Sequence, residues 1–183
     1  DDGYTNITNI DLSDVVIAQM KEANDKDRPG MTWAVMDVTS LSYENAHYDV
    51  VFDKSTMDCL FCCDDSSHII SEMMCEAWRV LKPGGLFISL SLHDVDKVLP
   101  YVGSNEQGYD LDWNEIEVFQ IPNPKYNPEE ENSAFYVCVV AIKPAVSDLK
   151  VIQNRGVKVV NEMTTFDKED QERNLQELED TNE

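Results

Sequence analysis

The sequence predicts a doubly wound α/β domain built on a mostly parallel sheet. Short apolar segments alternate with segments whose apolar residues recur at helical spacing, which is the pattern of strand–helix units. Three of the apolar segments end in an aspartate. Towards the C-terminal end, apolar segments at 113–120 and 135–142 flank a loop rich in Pro, Asn and Glu, which predicts an antiparallel hairpin.

The first strand is predicted at about 7–11, followed by a helix that ends near Ala23. Ser13 is a suitable N-cap because its hydroxyl oxygen can accept a hydrogen bond from a free backbone N–H of the first turn. Four apolar residues of this helix share one face, which we expect to be buried: Val16, Ile17, Met20 and Ala23.

The next strands are predicted at 31–38 and 48–53, and the second of these is apolar enough to be buried on both faces. A long helix is then predicted from Ser66 or Ser67 to about Leu81. Its apolar face consists of Ile70, Met73, Met74, Ala77 and Leu81. We expect the glycines of 82–85 to end this helix. A strand at 86–92 follows, and Asp94 is expected to cap a short helix that ends near Val102.

We assign residues 1–144 to one domain and residues 145–183 to an acidic C-terminal extension. The extension is expected to contribute a strand or docked segment at 151–160. Its last fifteen or so residues are expected to form a solvated helix or a disordered tail, because acids dominate there.

The composition restricts the partners. The 183 residues carry a formal net charge of −22, which disfavours nucleic acid and anionic membrane surfaces and favours a basic protein. Five cysteines, an odd number, indicate reduced thiols in a cytoplasmic type of protein rather than a disulfide framework. No apolar stretch is long enough to span a membrane, and no signal peptide is visible.

The three aspartates at strand ends are Asp11, Asp37 and Asp53. Ligands of an open parallel sheet bind outside the carboxyl ends of its strands, so these side chains are expected to border one crevice. Asp11 would accept hydrogen bonds from the hydroxyls of a ribose. Asp37 would accept one from the exocyclic amine of adenine, beside the backbone N–H of Val38. An aspartate after a strand also commonly caps a helix or closes a turn, and that alternative stays open for each residue.

Four segments resemble the class I S-adenosylmethionine-dependent methyltransferases: 3–13, Met36-Asp37-Val38-Thr39, 50–58 and 79–85. Within that family they are most similar to the branch that methylates protein lysines or N-termini, including those of translation elongation factor 1-alpha. The Asp-Lys-Gly-Thr-Leu-Asp pattern of the branch reads Asp53-Lys54-Ser55-Thr56-Met57-Asp58 here, with Ser55 in place of glycine.

The resemblance implies a Rossmann-like sheet of seven strands whose last strand is antiparallel, and S-adenosylmethionine as the cofactor. The cofactor-binding positions it implies are Asp11, Leu12, Asp37, Val38 and Asp53. Asp53 and Lys54 are the catalytic candidates: Asp53 would orient the acceptor amine or take its proton, and Lys54 would fix the loop or pair with Asp58. A basic protein such as elongation factor 1-alpha is the implied substrate.

The first strand of that family and its glycine-rich loop have no counterpart in these residues. The strand would lie between those of Asp11 and Asp53, and without it the two would be separated by roughly 10 Å. We therefore expect the chain to be an N-terminally incomplete version of the domain.

Three features of the sequence bear on other functions. Cys59, Cys62 and Cys63 lack a second cysteine pair at zinc-ribbon spacing, so a thiol cluster is favoured over a metal site. An NAD-dependent dehydrogenase also places an acid after its second strand. A scaffold that has lost catalysis, or a protein-binding module, is the non-enzymatic alternative.

Overall fold

The computed structural model describes residues 3–103, 111–123, 135–145 and 157–160. The strands are β1 (Thr8–Asp11), β2 (Thr32–Val35), β3 (Tyr48–Lys54), β4 (Leu81–Ser91), β5 (Glu115–Pro122), β6 (Phe135–Ile142) and β7 (Val157–Val160). The helices are α1 (Asp14–Asn24), α2 (Thr56–Leu60), α3 (Ser66–Val80) and α4 (Val95–Gly103). The structure confirms the predicted α/β architecture. The first four strands pair in parallel, β1 with β2 and β3 with β4, and β5 and β6 form the predicted antiparallel hairpin.

The strands form two sheets. β1 and β2 pair in parallel with each other, and the larger sheet has the order β3-β4-β6-β5-β7. β3 and β4 are parallel, whereas β6 runs antiparallel to both β4 and β5. β1 and β3 belong to different sheets and are not paired. This is the separation expected when no strand lies between them.

The hydrophobic core lies on one face of the larger sheet. Phe87, Ser89 and Ser91 of β4 point to this face and are buried, while the alternating residues Leu86, Ile88 and Leu90 are only half-buried. Side chains of α3 fill the space above the buried face, as its predicted apolar positions require. Strands bury alternate residues on opposite faces, so the half-buried set marks a second apolar face with less cover.

Two burial predictions were wrong, and both concern elements beside the unpaired edges. β3 was expected to be buried on both faces, yet Val50 is 46% exposed and Phe52 is 60% exposed. In α1 only Ile17 of the four predicted apolar residues is buried, and Met20 is 41% exposed. β3 has β4 as a neighbour on one side only, and α1 packs mainly on β1 and β2.

The C-terminal end of α3 also differs from the prediction. The helix stops at Val80 because Leu81 turns into extended backbone and begins β4, so no glycine cap is used. Gly84 has a φ of +79°, and a Cβ on Gly85 would lie 3.0 Å from the carbonyl oxygen of Asp49. These glycines therefore shape an irregularity in β4 rather than the end of the helix.

A buried lysine supports this junction. Lys143, just after β6, donates from Nζ to the carbonyl oxygens of Trp78 and Leu81, both at 2.7 Å. Its ammonium also lies 3.8 Å from the centroid of the Trp78 ring. The cation thus satisfies carbonyl groups at the end of α3, where the helix dipole favours positive charge.

β7 pairs in parallel with β5, so a strand lies within the segment 151–160, beyond the expected domain boundary at 144. The acidic tail after residue 160 lies outside the described residues. Within the part of the chain that the structure describes, no helix is long and apolar enough to cross a membrane.

The two phenylalanines of β3 and β4 offer a direct test of which face is covered. Phe87→Ala should lower the free energy of unfolding by about 3–5 kcal/mol, because it opens a cavity in the core. Phe52→Ala should cost less than about 1 kcal/mol, since its ring is already largely in water. Urea denaturation of each variant measures both values, and equal losses would contradict the one-sided core.

Candidate functional site

Asp11 and Asp37 lie at the same edge of the small sheet. Asp11 is the last residue of β1 and is in register with Val35, the last residue of β2. The backbone N–H of Met36 donates to the carbonyl oxygen of Asp11 at 3.0 Å. The chain therefore leaves β2 directly beside Asp11, and Asp37 follows one residue later.

Each of these two carboxylates uses one oxygen for a local turn. Oδ1 of Asp11 accepts from the N–H of Ser13 at 2.8 Å. Oδ1 of Asp37 accepts from the N–H of Thr39 at 2.9 Å and from its hydroxyl at 2.8 Å. The Thr39 N–H, followed by the hydroxyl, lowers the pKa of Asp37, so this carboxylate is ionised at neutral pH.

The second oxygen, Oδ2, of Asp11 and of Asp37 accepts no hydrogen bond from any residue that the structure describes. Both side chains are exposed. An exposed carboxylate with an open oxygen can accept hydrogen bonds from the hydroxyls or amino group of a ligand. The turn bonds hold each carboxylate in place.

Asp53 has a different environment. It is only 5% exposed. Its Oδ1 accepts from the backbone N–H groups of Thr56 and Met57, at 2.9 and 3.4 Å, and its Oδ2 accepts from the Ser89 hydroxyl at 2.9 Å. Burial raises the pKa of Asp53, partly offset by these hydrogen bonds. The carboxylate fixes the start of α2 and joins β3 to β4.

Lys54 is exposed at the end of β3. Asp58, its expected partner, instead accepts a short hydrogen bond from the Ser91 hydroxyl and a 3.0 Å bond from the N–H of Leu92. Ser55 has a φ of +66°. The left-handed conformation that a glycine would adopt easily is therefore kept here by a serine. Helix α2, which begins after it, was missed in the sequence.

The structure thus brings together two of the three predicted aspartates. Asp11 and Asp37 share one edge, whereas Asp53 belongs to the larger sheet and faces its interior. Leu12 is 72% exposed next to Asp11. Val38 packs against the core of the larger sheet, so the segment that carries Asp37 contacts both halves of the structure.

An ion pair that sequence reasoning missed holds this segment. Arg79 and Glu76 of α3 are joined by two hydrogen bonds of 2.7 Å. Arg79 also donates to the carbonyl oxygens of Leu41 and Tyr43 at 2.9 and 2.7 Å. Glu76 accepts from the N–H of Leu41 at 2.7 Å. The pair therefore clamps the connection between β2 and β3 onto α3.

A sequence signal for this clamp existed. Glu76 and Arg79 are three residues apart and so lie on the same side of the helix. Arg79 is also part of the 79–85 segment used for the resemblance. A guanidinium can donate in several directions at once, which suits a residue that collects carbonyl groups from a loop without regular structure.

The cysteines and histidines give no metal site among the described residues. Cys59, Cys62 and Cys63 are exposed free thiols. His68 lies 3.3 Å from Glu72, and His93 lies 3.2 Å from the ammonium of Lys97.

Comparison with known proteins indicates the family of this chain. A methyltransferase domain family matches residues 1–89. The chain is 33% identical over 144 residues to the human protein "eEF1A lysine and N-terminal methyltransferase", covering 77% of this chain and 20% of that protein. It is 42% identical over 94 residues to the mouse protein of the same name, covering 50% and 14% of the two chains.

Solved structures agree in fold. The N-methyltransferase NodS from Bradyrhizobium japonicum, in complex with S-adenosyl-L-homocysteine, superposes with a TM-score of 0.57 at 14% identity, over 75% of this chain and 66% of that one. A methyltransferase from Methanosarcina mazei gives 0.51 at 15% identity, over 75% and 82%. Residues 1–89 thus match a methyltransferase domain family, and the chain has the fold of S-adenosylmethionine-dependent methyltransferases. It spans a fifth or less of the length of the eEF1A relatives named above.

These matches favour methyl transfer over the dehydrogenase alternative. The methyltransferase domain match ends at residue 89, so it covers Asp11, Asp37 and Asp53 together. The roles of these three residues are predictions.

The ion pair of Glu76 and Arg79, which clamps the β2–β3 connection onto α3, predicts that the free energy of unfolding depends on pH. Hydrogen bonds from Arg79 lower the pKa of Glu76 in the folded protein. The stabilisation that Glu76 contributes is therefore fully present above the ordinary glutamate pKa of 4.5. It is lost as the pH falls through the lower pKa that Glu76 has in the folded protein. Glu76→Gln should reduce the free energy of unfolding by about 1–3 kcal/mol at pH 7 and by less at pH 3.

Glu72→Gln is the matched control, one turn earlier on the same helix. Among the residues that the structure describes, Glu72 pairs only with His68, and both side chains are more than 40% exposed. Glu72→Gln should therefore lower the free energy of unfolding by less than about 0.5 kcal/mol. Urea denaturation of both variants between pH 3 and 7 provides the comparison. A loss for Glu76→Gln that does not change with pH would contradict the clamp.

Proposed function

We propose that this domain transfers a methyl group from S-adenosylmethionine to an amine of a basic protein, a lysine side chain or an N-terminal amine of translation elongation factor 1-alpha. The observation that carries the proposal is that Asp11 and Asp37 lie at the same sheet edge. In each carboxylate Oδ1 accepts a hydrogen bond within a turn, and Oδ2 is available to a ligand. The names of the related proteins support the choice of substrate.

The residues at this edge fit the adenosine half of the cofactor. Oδ2 of Asp11 is available to the two ribose hydroxyls, and Oδ2 of Asp37 is available to an exocyclic amine. The backbone N–H of Val38 donates to no residue that the structure describes, so it can donate to a ring nitrogen. When bound, S-adenosylmethionine supplies a methyl group made electrophilic by the sulfonium charge, and the protein supplies orientation.

Asp53 and Lys54 have supporting roles in this proposal. The carboxylate of Asp53 already accepts three hydrogen bonds, so its first task is to keep the β3–α2 turn rigid. Lys54 is an exposed residue of that turn. An acceptor lysine has an ordinary pKa of about 10.4 and must lose a proton before it can attack. The proton can pass to solvent or to an exposed acid.

A basic substrate suits the charge of the chain. The net charge of −22 produces a negative field that attracts lysine-rich surfaces and accelerates their encounter with the domain. The same field repels nucleic acid. Translation factors act in the cytoplasm, and the five free-thiol cysteines of the chain are compatible with that compartment.

One observation favours a second function, a scaffold that binds a protein partner without catalysis. β1 and β3 each keep an unpaired edge, and an unpaired strand can add a strand from another polypeptide. Binding of S-adenosylmethionine separates the two functions, because the scaffold has no use for the cofactor.

The decisive measurement is calorimetry with S-adenosylmethionine, on residues 1–183 and on the full-length protein, which here means the product of the whole gene. We expect the full-length protein to bind the cofactor. If the gene product supplies a strand between β1 and β3, which are not paired, residues 1–183 should bind the cofactor more weakly. In the full-length protein, Asp11→Ala and Asp37→Ala should each weaken binding about 10- to 100-fold, the loss of a charge-assisted hydrogen bond.

Asp49→Ala is the control for this experiment. Asp49 is also an exposed aspartate, but its carboxylate bonds the ammonium of Lys82 at 2.9 Å instead of facing the sheet edge. Its removal should leave cofactor affinity unchanged. Equal effects of all three substitutions, or no binding to either protein, would reject the proposed site and favour the scaffold.

A further inference from the structure

The rings of Phe61, His93 and Tyr101 form an aromatic corner beside the larger sheet. A lysine of this chain already occupies this corner. The ammonium of Lys97, in α4, lies 4.4 Å from the centroid of the Phe61 ring. It also lies 3.2 Å from Nε2 of His93. The corner therefore offers an ammonium a π face and an imidazole nitrogen, two groups that bind cations by different means.

The corner is held by other contacts than those to Lys97. The Phe61 ring meets the rings of His93 and Tyr101 edge to face, at centroid distances of 5.2 and 5.3 Å. The Tyr101 hydroxyl bonds the hydroxyl of Ser67 at 3.0 Å. The three rings are consequently held by contacts with α3, α4 and the turn after α2. Lys97 can move away without breaking any of these contacts.

The corner is linked to the turn that follows Asp53. Asp58 bonds the Ser91 hydroxyl, and that hydroxyl oxygen accepts from the backbone N–H of His93 at 3.0 Å. Ser91 ends β4, so His93 lies at the carboxyl end of the strand that pairs with β3. An open cavity of about 230 Å³, lined by Asp96, Lys97, Pro100 and Tyr101, lies directly beside it.

We propose that Phe61, His93 and Tyr101 form a binding site for a primary ammonium, and that a lysine or N-terminal amine of the substrate enters it by displacing Lys97. Lys97 is exposed on α4 and can swing into solvent. Asp94 and Asp96 lie nearby on the same segment and favour any cation that approaches. The inference rests on the proposed methyl transfer for its purpose, but its test needs no cofactor.

The test follows the displacement of Lys97 in the full-length protein without S-adenosylmethionine. Brief acetylation with an N-hydroxysuccinimide ester, read by mass spectrometry, measures how accessible each lysine amine is. Adding Nα-acetyl-lysine methylamide should increase the acetylation of Lys97 relative to that of Lys82, because the probe takes the place of Lys97 in the corner. The ratio cancels the loss of reagent to the ε-amine of the probe itself. Nα-acetyl-norleucine methylamide, which lacks the ammonium, should have no effect. Lys82, whose ammonium bonds Asp49, is the internal control.

Calorimetry with the same lysine probe measures the affinity of two variants. Lys97→Ala vacates the corner and should tighten probe binding about 2- to 5-fold, and Phe61→Leu should weaken it by a similar factor, the strength of an exposed cation–π contact. Lys82→Ala should change nothing. Unchanged Lys97 acetylation, or no gain of affinity in Lys97→Ala, would overturn the site.

The outcome is separate from that of the proposed function. If Lys97 is displaced but S-adenosylmethionine does not bind, the ammonium site stands and methyl transfer fails. If the cofactor binds and Lys97 is not displaced, methyl transfer stands and the acceptor amine binds elsewhere.

Discussion

The ion pair between Glu76 and Arg79 is the interaction on which the arrangement of the site depends. β1 and β2 share no strand pairing with the larger sheet. The connection between β2 and β3 is therefore the covalent link between the sheets, and it has no regular structure. By collecting the carbonyl groups of Leu41 and Tyr43, Arg79 fixes this connection to α3, and Val38 adds an apolar contact. Asp37 is thereby placed relative to the larger sheet.

The same absence of pairing explains where the burial predictions failed. Apolar periodicity shows which residues a fold can bury, but it does not show whether a covering element is present. Val50 and Phe52 have the sequence of a strand with neighbours on both sides, and α1 has the stripe of a packed helix. Both are exposed, and both belong to the elements beside the unpaired edges of β1 and β3. These elements flank the position where the resemblance places a strand between Asp11 and Asp53.

Local features were predictable from the sequence because local chemistry determines them. Ser13 caps α1 as expected, with its hydroxyl accepting from the N–H of Val16. The buried face of α3 follows its 3.6-residue period, and the antiparallel pairing of β5 with β6 follows from the change of periodicity after α4. Lys143 and Arg79 could not be placed in the same way, since their partners are backbone carbonyls contributed by distant or irregular segments.

The three aspartates show why an equal sequence signal does not mean an equal role. Each ends or closely follows a strand, so all three were candidates for the same crevice. The number of donors around each carboxylate separates them. Both oxygens of Asp53 are used inside the protein, and its charge is buried. Asp11 and Asp37 use one oxygen for a turn and keep the other towards solvent. The turn-forming alternative and the ligand-binding prediction are therefore compatible at these two positions, because the first holds the side chain still for the second.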